Sequence, residues 1–215
     1  MRKIKTWLFC TVLLGCAFSA RAQAPRPRLY EAGLEGMSYV PLVSEARTKF
    51  QGPSGVFFRY VPQQAGLRGG AGLTQRQAGP PSDCNDCPSG ETTTRALTLR
   101  VGGQYALVRQ LPWLYAFADG AYRHTSASGA YTGGLCGCLD YTETQTGRGW
   151  GAMAGLGATI HLLPRLSMVP ELYYEGFSTR TVQEHTDRRA PVTRTWVSRK
   201  KEHSPALRLL ATVSF

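Results

Sequence analysis

Polar and apolar residues alternate over the last nine positions of the chain. Counting back from the end, every second residue is apolar: Phe215, Val213, Ala211, Leu209 and Leu207. The intervening positions are Ser214, Thr212, Leu210 and Arg208. Successive side chains of a β-strand point to opposite faces, so this segment predicts a strand with one hydrocarbon face and one largely polar face.

Eight segments with this kind of alternation follow one another, separated by connections of unequal length. Three connections are short turns, at 62–65, 109–112 and 163–166, and the other four, near 41–54, 77–94, 127–147 and 181–202, are long and polar. Short turns at one rim and long loops at the other are typical of membrane barrels. We therefore predict an all-β, eight-stranded antiparallel up-and-down transmembrane β-barrel. Its strands are expected near 29–40, 55–62, 66–76, 95–108, 113–126, 148–162, 167–180 and 203–215.

The two faces differ most clearly in the fourth and sixth segments. Leu97, Leu99 and Val101 share one face of the fourth, and Arg100 lies on the other. In the sixth, the apolar face is formed by Trp150, Ala152, Ala154, Leu156, Ala158 and Ile160. The second and fifth segments fit less well, because three aromatic residues fall on the polar face: Phe57, Tyr115 and Phe117.

The polar faces together carry five basic and five acidic side chains. They are Arg59, Arg68, Arg100, Arg123 and Arg208, with Glu31, Glu35, Asp119, Glu171 and Glu175. If these arginines faced lipid near the bilayer midplane, each would cost about 2–4 kcal/mol. In a narrow, low-dielectric interior, charges need partners of opposite sign. We therefore predict an interior network of ion pairs, the alternative being solvated charges at the rims.

The amino terminus is typical of a secretory signal peptide. Three basic residues precede an apolar stretch, and Ala20-Arg21-Ala22 suits cleavage after Ala22. Lipidation at Cys16, after Leu13-Leu14-Gly15, is the alternative. The predicted organisation is a signal peptide over 1–22, a short segment over 23–28 and a barrel over 29–215.

Export also limits the partners of this basic chain. Removal of residues 1–22 takes away Arg2, Lys3, Lys5 and Arg21 and no acid, which lowers the formal net charge from +11 to +7. Nucleic acid is not an expected partner of an exported protein, so anionic lipopolysaccharide or surface polymers are the better candidates. After the signal peptide the sequence contains no run of 18 apolar residues, so it predicts no membrane-spanning helix.

The export signal, the alternation, the loop asymmetry and the terminal Phe215 together resemble the small outer-membrane barrels of Gram-negative bacteria. That superfamily contains OmpA transmembrane domains, OmpX and the "porin family" proteins. The resemblance implies an outer-membrane location with long loops outside and both termini in the periplasm. It also implies that Leu207–Phe215 acts as the signal read by the barrel assembly machinery. Because eight strands leave an interior filled by side chains, a structural or surface-interaction role is expected rather than a wide pore.

Four cysteines remain in the mature chain, in two of the predicted long loops. They are Cys84, Cys87, Cys136 and Cys138. In an oxidising compartment two disulfides are expected, with three possible connectivities. A four-thiolate metal site and free thiols are the alternatives. No metal or other cofactor is predicted.

Three further features can each be interpreted as structural or as functional. His124 and Ser126 resemble the His-x-Ser pair of lipid A deacylase barrels, in which a His base activates a Ser nucleophile, but no acidic third member is identifiable. The basic residues at 188–201 could bind lipopolysaccharide phosphates or be solvated loop charges. His161 is expected as a hydrogen-bonded interior residue rather than a ligand.

We predict no enzyme activity. The remaining rival is a secreted lipocalin-like barrel, with its apolar set lining a ligand cavity and its charges facing water.

Overall fold

Nine antiparallel β-strands form one sheet in the computed structural model, which describes residues 30–39, 55–78, 88–133, 139–189 and 192–215. The strands are β1 (Tyr30–Tyr39), β2 (Gly55–Tyr60), β3 (Ala65–Ala78), β4 (Pro88–Val108), β5 (Leu111–Gly133), β6 (Leu139–Ala158), β7 (Ile160–His161), β8 (Leu166–Asp187) and β9 (Thr193–Ser214). Each long strand pairs with its neighbours in the chain, which confirms an all-β, up-and-down arrangement.

The sheet closes on itself through its first and last strands. β1 pairs with β2 on one side and with β9 on the other, in a register that joins Glu31 to Ser214 and Tyr39 to Leu207. The amide of Phe215 donates a hydrogen bond of 3.2 Å to the carbonyl of Tyr30. Closure leaves no sheet edge between the first and last strands, and the predicted barrel is confirmed.

The structure has nine strands rather than the eight predicted because one strand is interrupted. Ile160 and His161 of β7 pair with Met168 and Ser167 of β8, continuing the register in which β6 pairs with β8. Thr159 lies between β6 and β7, and its amide donates to the carbonyl of Trp113, 2.8 Å away. β6 and β7 therefore act as one wall element, and eight strand passes enclose the interior.

The three short turns were predicted correctly, with small shifts in their bounds. They occupy 61–64, 109–110 and 162–165, and together they define one end of the barrel, here called the turn rim. The opposite end, where β3, β5 and β8 finish, is called the loop rim.

Three of the predicted long loops, 77–94, 127–147 and 181–202, are wrong in extent, because β-strand continues into each of them from both sides. β4 and β5 stay paired from Val108↔Leu111 out to Pro88↔Gly133. β8 and β9 remain paired as far as Thr186↔Thr193. These extensions are rich in Thr, which suits a strand but produces no apolar face. Alternation of apolar and polar residues therefore marks only the part of each strand whose two faces lie in different environments, one apolar and one polar.

The apolar faces of the strands point outward and the charged faces inward. Val101 is 71% exposed and Leu156 is 51% exposed, whereas Glu171 and Arg208 are fully buried. Leu207, Val213 and Phe215 are also exposed, and Leu210, the apolar exception in the last strand, is buried. The lipocalin-like alternative requires the opposite facing and is therefore wrong.

Several predictions lie outside the described residues. They concern the signal peptide and its cleavage after Ala22, lipidation at Cys16, the segment 23–28, the connection 41–54, and the cysteines Cys84, Cys87, Cys136 and Cys138. No helix in the described part of the chain is long and apolar enough to cross a membrane.

Candidate functional site

All ten charged residues singled out above lie on the inward face of the barrel wall. Eight are buried: Glu31, Glu35, Arg59, Arg68, Arg100, Asp119, Glu171 and Arg208. Arg123 and Glu175 are partly buried, with side chains 20% and 18% exposed. Strand periodicity explains the common orientation, because residues two apart, such as Arg123 and Ala121 on β5, share a face.

The centre of the interior is organised by the carboxylate of Glu171 on β8. Arg68 binds it in a bidentate manner, with Nη1–Oε1 at 2.7 Å and Nη2–Oε2 at 2.9 Å. Arg208 donates from Nε to Oε2 at 2.8 Å and also from Nη2, and the Tyr115 hydroxyl donates to Oε1 at 2.7 Å. A fully buried carboxylate is thus surrounded by donors from three other strands, as burial of its charge requires.

Asp119 on β5 completes this cluster. Its Oδ1 lies 3.0 Å from Arg68 Nε, an ion pair without hydrogen-bond geometry. Arg68 therefore contacts two carboxylates, one on β5 and one on β8. We call Arg68, Tyr115, Asp119, Glu171 and Arg208 the ion-pair layer.

Further ion pairs lie on either side of the ion-pair layer along the barrel. Nearer the turn rim, Arg59 Nε donates to Glu31 Oε2 at 2.8 Å, and the hydroxyls of Thr159 and Thr212 complete that group. Nearer the loop rim, Arg100 pairs with Glu35 at 2.5 Å and Arg123 with Glu175 at 3.3 Å. All ten charges therefore form ion pairs.

Aromatic rings pack against the arginines. The guanidinium of Arg68 lies 3.9 Å from the ring centre of Phe117 and 5.1 Å from that of Phe57. Arg208 lies 4.9 Å from the ring centre of Tyr173, and Arg59 lies 5.4 Å from that of Tyr115. Cations and rings at these distances attract each other. The aromatic residues that broke the predicted alternation are therefore interior partners of the charges.

Sequence reasoning missed this role, although the signal was present. Phe57, Tyr115 and Phe117 occur on faces that otherwise carry arginines and acids, so their position marked them as interior residues. Space for the ring of Tyr115 comes from a small residue on the neighbouring strand. Gly157 of β6 pairs with Tyr115, and a Cβ added at Gly157 would collide with that ring. No pattern along one strand indicates that match of size between paired strands.

A cavity of about 450 Å³ lies on the loop-rim side of the ion-pair layer. Glu35, Arg100 and Tyr173 are at the end nearer that layer, and the walls carry six threonines: Thr74, Thr94, Thr98, Thr125, Thr179 and Thr181. Thr125, Thr179 and Thr181 converge over Gly147, where an added Cβ would contact all three side chains. We call this space the loop-side cavity. Sequence reasoning missed it, because four of these threonines lie in predicted strands and two, Thr94 and Thr181, in predicted loops, and no pattern along one strand indicates the space between them.

The charges that line the loop-side cavity balance. Three cations, Arg100, Arg123 and Lys200, face three carboxylates, Glu35, Glu175 and Glu202. The third pair, Lys200 Nζ to Glu202 Oε1, is 2.9 Å long. The lining residues that the structure describes therefore present hydroxyls and ion pairs, and their charges balance.

An aromatic row crosses four adjacent strands between this cavity and the loop rim. Tyr131 on β5 stacks on Tyr141 on β6 at 5.0 Å between ring centres, and Tyr141 stacks on His185 on β8 at 4.2 Å. Trp196 on β9 stands edge-on to His185 at 6.2 Å. Partial burial, with Tyr131 and Glu143 nearby, raises the pKa of Tyr141 above its ordinary value. Trp196 ends the row and keeps 48% of its surface exposed.

His124 and Ser126 lie elsewhere, on the outward face of β5. They are opposite Arg148 and Thr146 of β6, and no hydrogen bond joins them within the described part of the chain. His161 does form the expected kind of hydrogen bond, between its Nδ1 and Ser167 Oγ, which are 2.8 Å apart. Its expected interior position is wrong, because the residue is exposed next to the turn at 162–165.

The basic segment near the loop rim is divided between a connection and a strand. Arg188 lies beyond the end of β8, 3.6 Å from Asp140, whereas Arg194, Arg199, Lys200 and Lys201 lie in β9. Among the residues that the structure describes, no three His, Cys, Asp or Glu side chains are grouped as a metal site would need.

Comparison with known proteins supports the fold. No model of a protein family matches the sequence, and no curated protein is detectably similar to it. The crystal structure of a major outer membrane protein from Thermus thermophilus is similar to this chain with a TM-score of 0.56. The two sequences are 15% identical, and the match covers 88% of this chain and 100% of that chain. At this identity the likeness concerns the β-barrel fold.

Proposed function

We propose that this chain is a non-enzymatic outer-membrane barrel of a Gram-negative bacterium with a structural or surface-interaction role. The observation that carries the proposal is the facing of its side chains. Apolar residues on the outside remain exposed around the ring, including Leu34, Val56, Leu67, Val101, Leu156, Leu172 and Val213. Soluble monomers rarely expose so continuous an apolar surface, but lipid acyl chains would cover it.

The proposed orientation puts the loop rim outside the cell and both termini in the periplasm. β4, β5, β6, β8 and β9 have 20 to 23 residues each, well beyond the 9–11 or so that a tilted strand needs to cross a bilayer. Their polar ends at the loop rim would then project from the membrane into the surrounding lipopolysaccharide. The basic residues of β9, among them Arg194 and Arg199, are candidates for contact with its phosphates.

Side chains close the interior, which supports a role other than free diffusion of solutes through the barrel. The ion-pair layer contains side chains from β3, β5, β8 and β9, and Glu171 and Arg208 have no exposed surface. Phe57, Phe117 and Leu210 fill space in the same region and are also buried. A wide water-filled channel through this cross-section would require these groups to move.

Assembly is proposed to depend on the last strand. Leu207, Leu209, Ala211, Val213 and Phe215 form the apolar face that the barrel assembly machinery would recognise, and β9 closes the ring against β1. Replacement of Phe215 by alanine is expected to lower the amount of folded protein in the outer membrane. A Trp150→Ala variant is the matched control, because Trp150 is equally exposed but lies in β6.

Membrane fractionation followed by gel migration with and without heating tests the location. The protein is expected in the outer-membrane fraction, with faster migration before heating, as a folded barrel resists detergent. Recovery entirely in the soluble periplasm would contradict the proposal. Conductance of the purified barrel in a planar bilayer tests the closed interior, and large steady steps from the unaltered protein would refute it.

A further inference from the structure

We propose that the loop-side cavity and the aromatic row form a binding site for a neutral saccharide. This rests on the proposed surface role, since the loop rim must be accessible from outside the cell. The volume of about 450 Å³ falls within the range of about 300–1,000 Å³ that small-molecule sites occupy. The argument comes from the chemistry of the walls and from what lies at the entrance.

The walls suit a ligand rich in hydroxyl groups. Thr179 and Thr181 line the cavity and are 8% and 7% exposed, and a threonine hydroxyl can both donate and accept a hydrogen bond. Arg100 lines the end nearer the ion-pair layer, where it is paired with Glu35. A site that offers fixed hydrogen bonds discriminates strongly against ligands that cannot complete them.

The balance of charge favours a neutral ligand. The guanidinium of Arg123 already faces Glu175 and packs 3.7 Å from the ring centre of Phe177, and Lys200 is paired with Glu202. An anionic group such as a phosphate would have to compete with these carboxylates for the same cations. A sugar hydroxyl can instead join an existing ion pair as donor to the acid and acceptor from the base.

The aromatic row is placed where an entering chain of sugars would meet it. Each of its members lies four residues beyond a cavity-lining residue on the same strand and face, as Tyr141 does beyond Gln145 and Trp196 beyond Lys200. Four residues span about 13 Å of strand. Tyr131, Tyr141 and His185 support one another by stacking, while Trp196 keeps a free surface. The flat C–H face of a pyranose can pack on such a ring.

Calorimetric titration of the purified, folded barrel with maltotriose, cellotriose and N,N′,N″-triacetylchitotriose tests the inference. At least one trisaccharide should bind with a Kd below about 1 mM, and inorganic phosphate should not bind in its place. Trp196→Ala should weaken binding at least about tenfold, and the double variant Thr179→Val with Thr181→Val should do the same. Trp150→Ala, which removes an equally large side chain from the outward face, should leave the Kd unchanged.

The inference is overturned if no trisaccharide binds, if Trp196→Ala leaves the Kd unchanged, or if phosphate is the preferred ligand. Heat-modifiable migration of the same samples shows whether each variant is folded. A folded membrane barrel that binds no sugar refutes the saccharide site and leaves the proposed function intact. A soluble protein refutes the proposed function itself.

Discussion

In the half of the barrel near the turn rim, charged and aromatic side chains fill the interior, whereas in the half near the loop rim threonines and glycines leave a cavity of about 450 Å³. Both halves are built on the same strands, as Glu171 and Thr181 show on β8. The difference therefore comes from side-chain size and charge at inward positions. Long residues with opposite charges meet across the interior, and short residues with hydroxyls do not reach each other.

The two halves should also differ in how much they stabilise the fold. In the ion-pair layer, every charge is removed from water and depends on its partners. Around the loop-side cavity, ion pairs such as Arg123–Glu175 remain partly exposed and their attraction is weakened by solvent. Substitutions on the two sides test this contrast.

The largest effect is expected for Glu171→Ala. Removing this carboxylate leaves Arg68 and Arg208 buried with too few partners, which should lower the free energy of unfolding by about 3–5 kcal/mol. Urea unfolding in lipid vesicles, followed by tryptophan fluorescence, measures the change. Glu143→Ala is the control near the loop rim, because Glu143 accepts one partly buried hydrogen bond of 2.6 Å from Gln183. A loss there of about 1 kcal/mol is expected. Equal losses in the two variants would remove the contrast between the halves.

The loss of stability caused by an arginine on the outer wall should depend on how deep in the bilayer that arginine lies. Val101→Arg puts a charge into the apolar band and should cost about 2–4 kcal/mol in the same unfolding measurement. Ser128→Arg puts it on the outward face of β5 near the loop rim, where water would solvate it, and should change stability by about 0.5 kcal/mol or less. If both variants are equally tolerated, lipid does not cover the band.

Tyr115→Phe removes one hydrogen bond from the ion-pair layer and leaves the ring in place. Because the hydroxyl donates to the buried Glu171 carboxylate at 2.7 Å, the expected loss is about 1.5–3 kcal/mol. Tyr122→Phe is the matched control, since Tyr122 lies on the outward face and packs against Trp150. An unfolding free energy unchanged by Tyr115→Phe would mean that this hydroxyl does not help hold the charge.

The smallest effect is expected for Arg123→Gln at the cavity wall. The pair with Glu175 is 3.3 Å long and partly exposed, so its loss should cost about 1 kcal/mol or less. Raising the salt concentration should shrink that difference, because exposed charges are screened. Unfolding curves of both proteins at low and high salt provide the measurement. A loss as large as that of Glu171→Ala would show that the loop-rim half is held together in the same way.

Different parts of the molecule were predictable to different degrees. Leu99 and Val101 flank Arg100 in sequence, so their outward orientation follows from strand periodicity alone. The inward position of Arg68 and Glu171 follows from the same rule. Their contact does not, because residues 103 positions apart meet only when the ring closes with a particular register. The stacking of Tyr131, Tyr141 and His185 likewise depends on pairing between three strands.

Alternation and turn residues within short segments were enough to predict the class of fold, the short turns and the face on which each of the ten charges lies. The partner of each charge, the extent of the strands towards the loop rim and the position of the open space could be read only from the folded chain. Those properties depend on register and on side-chain size across the barrel. Near the loop rim both faces of the strands are polar, so no alternation marks where a strand ends.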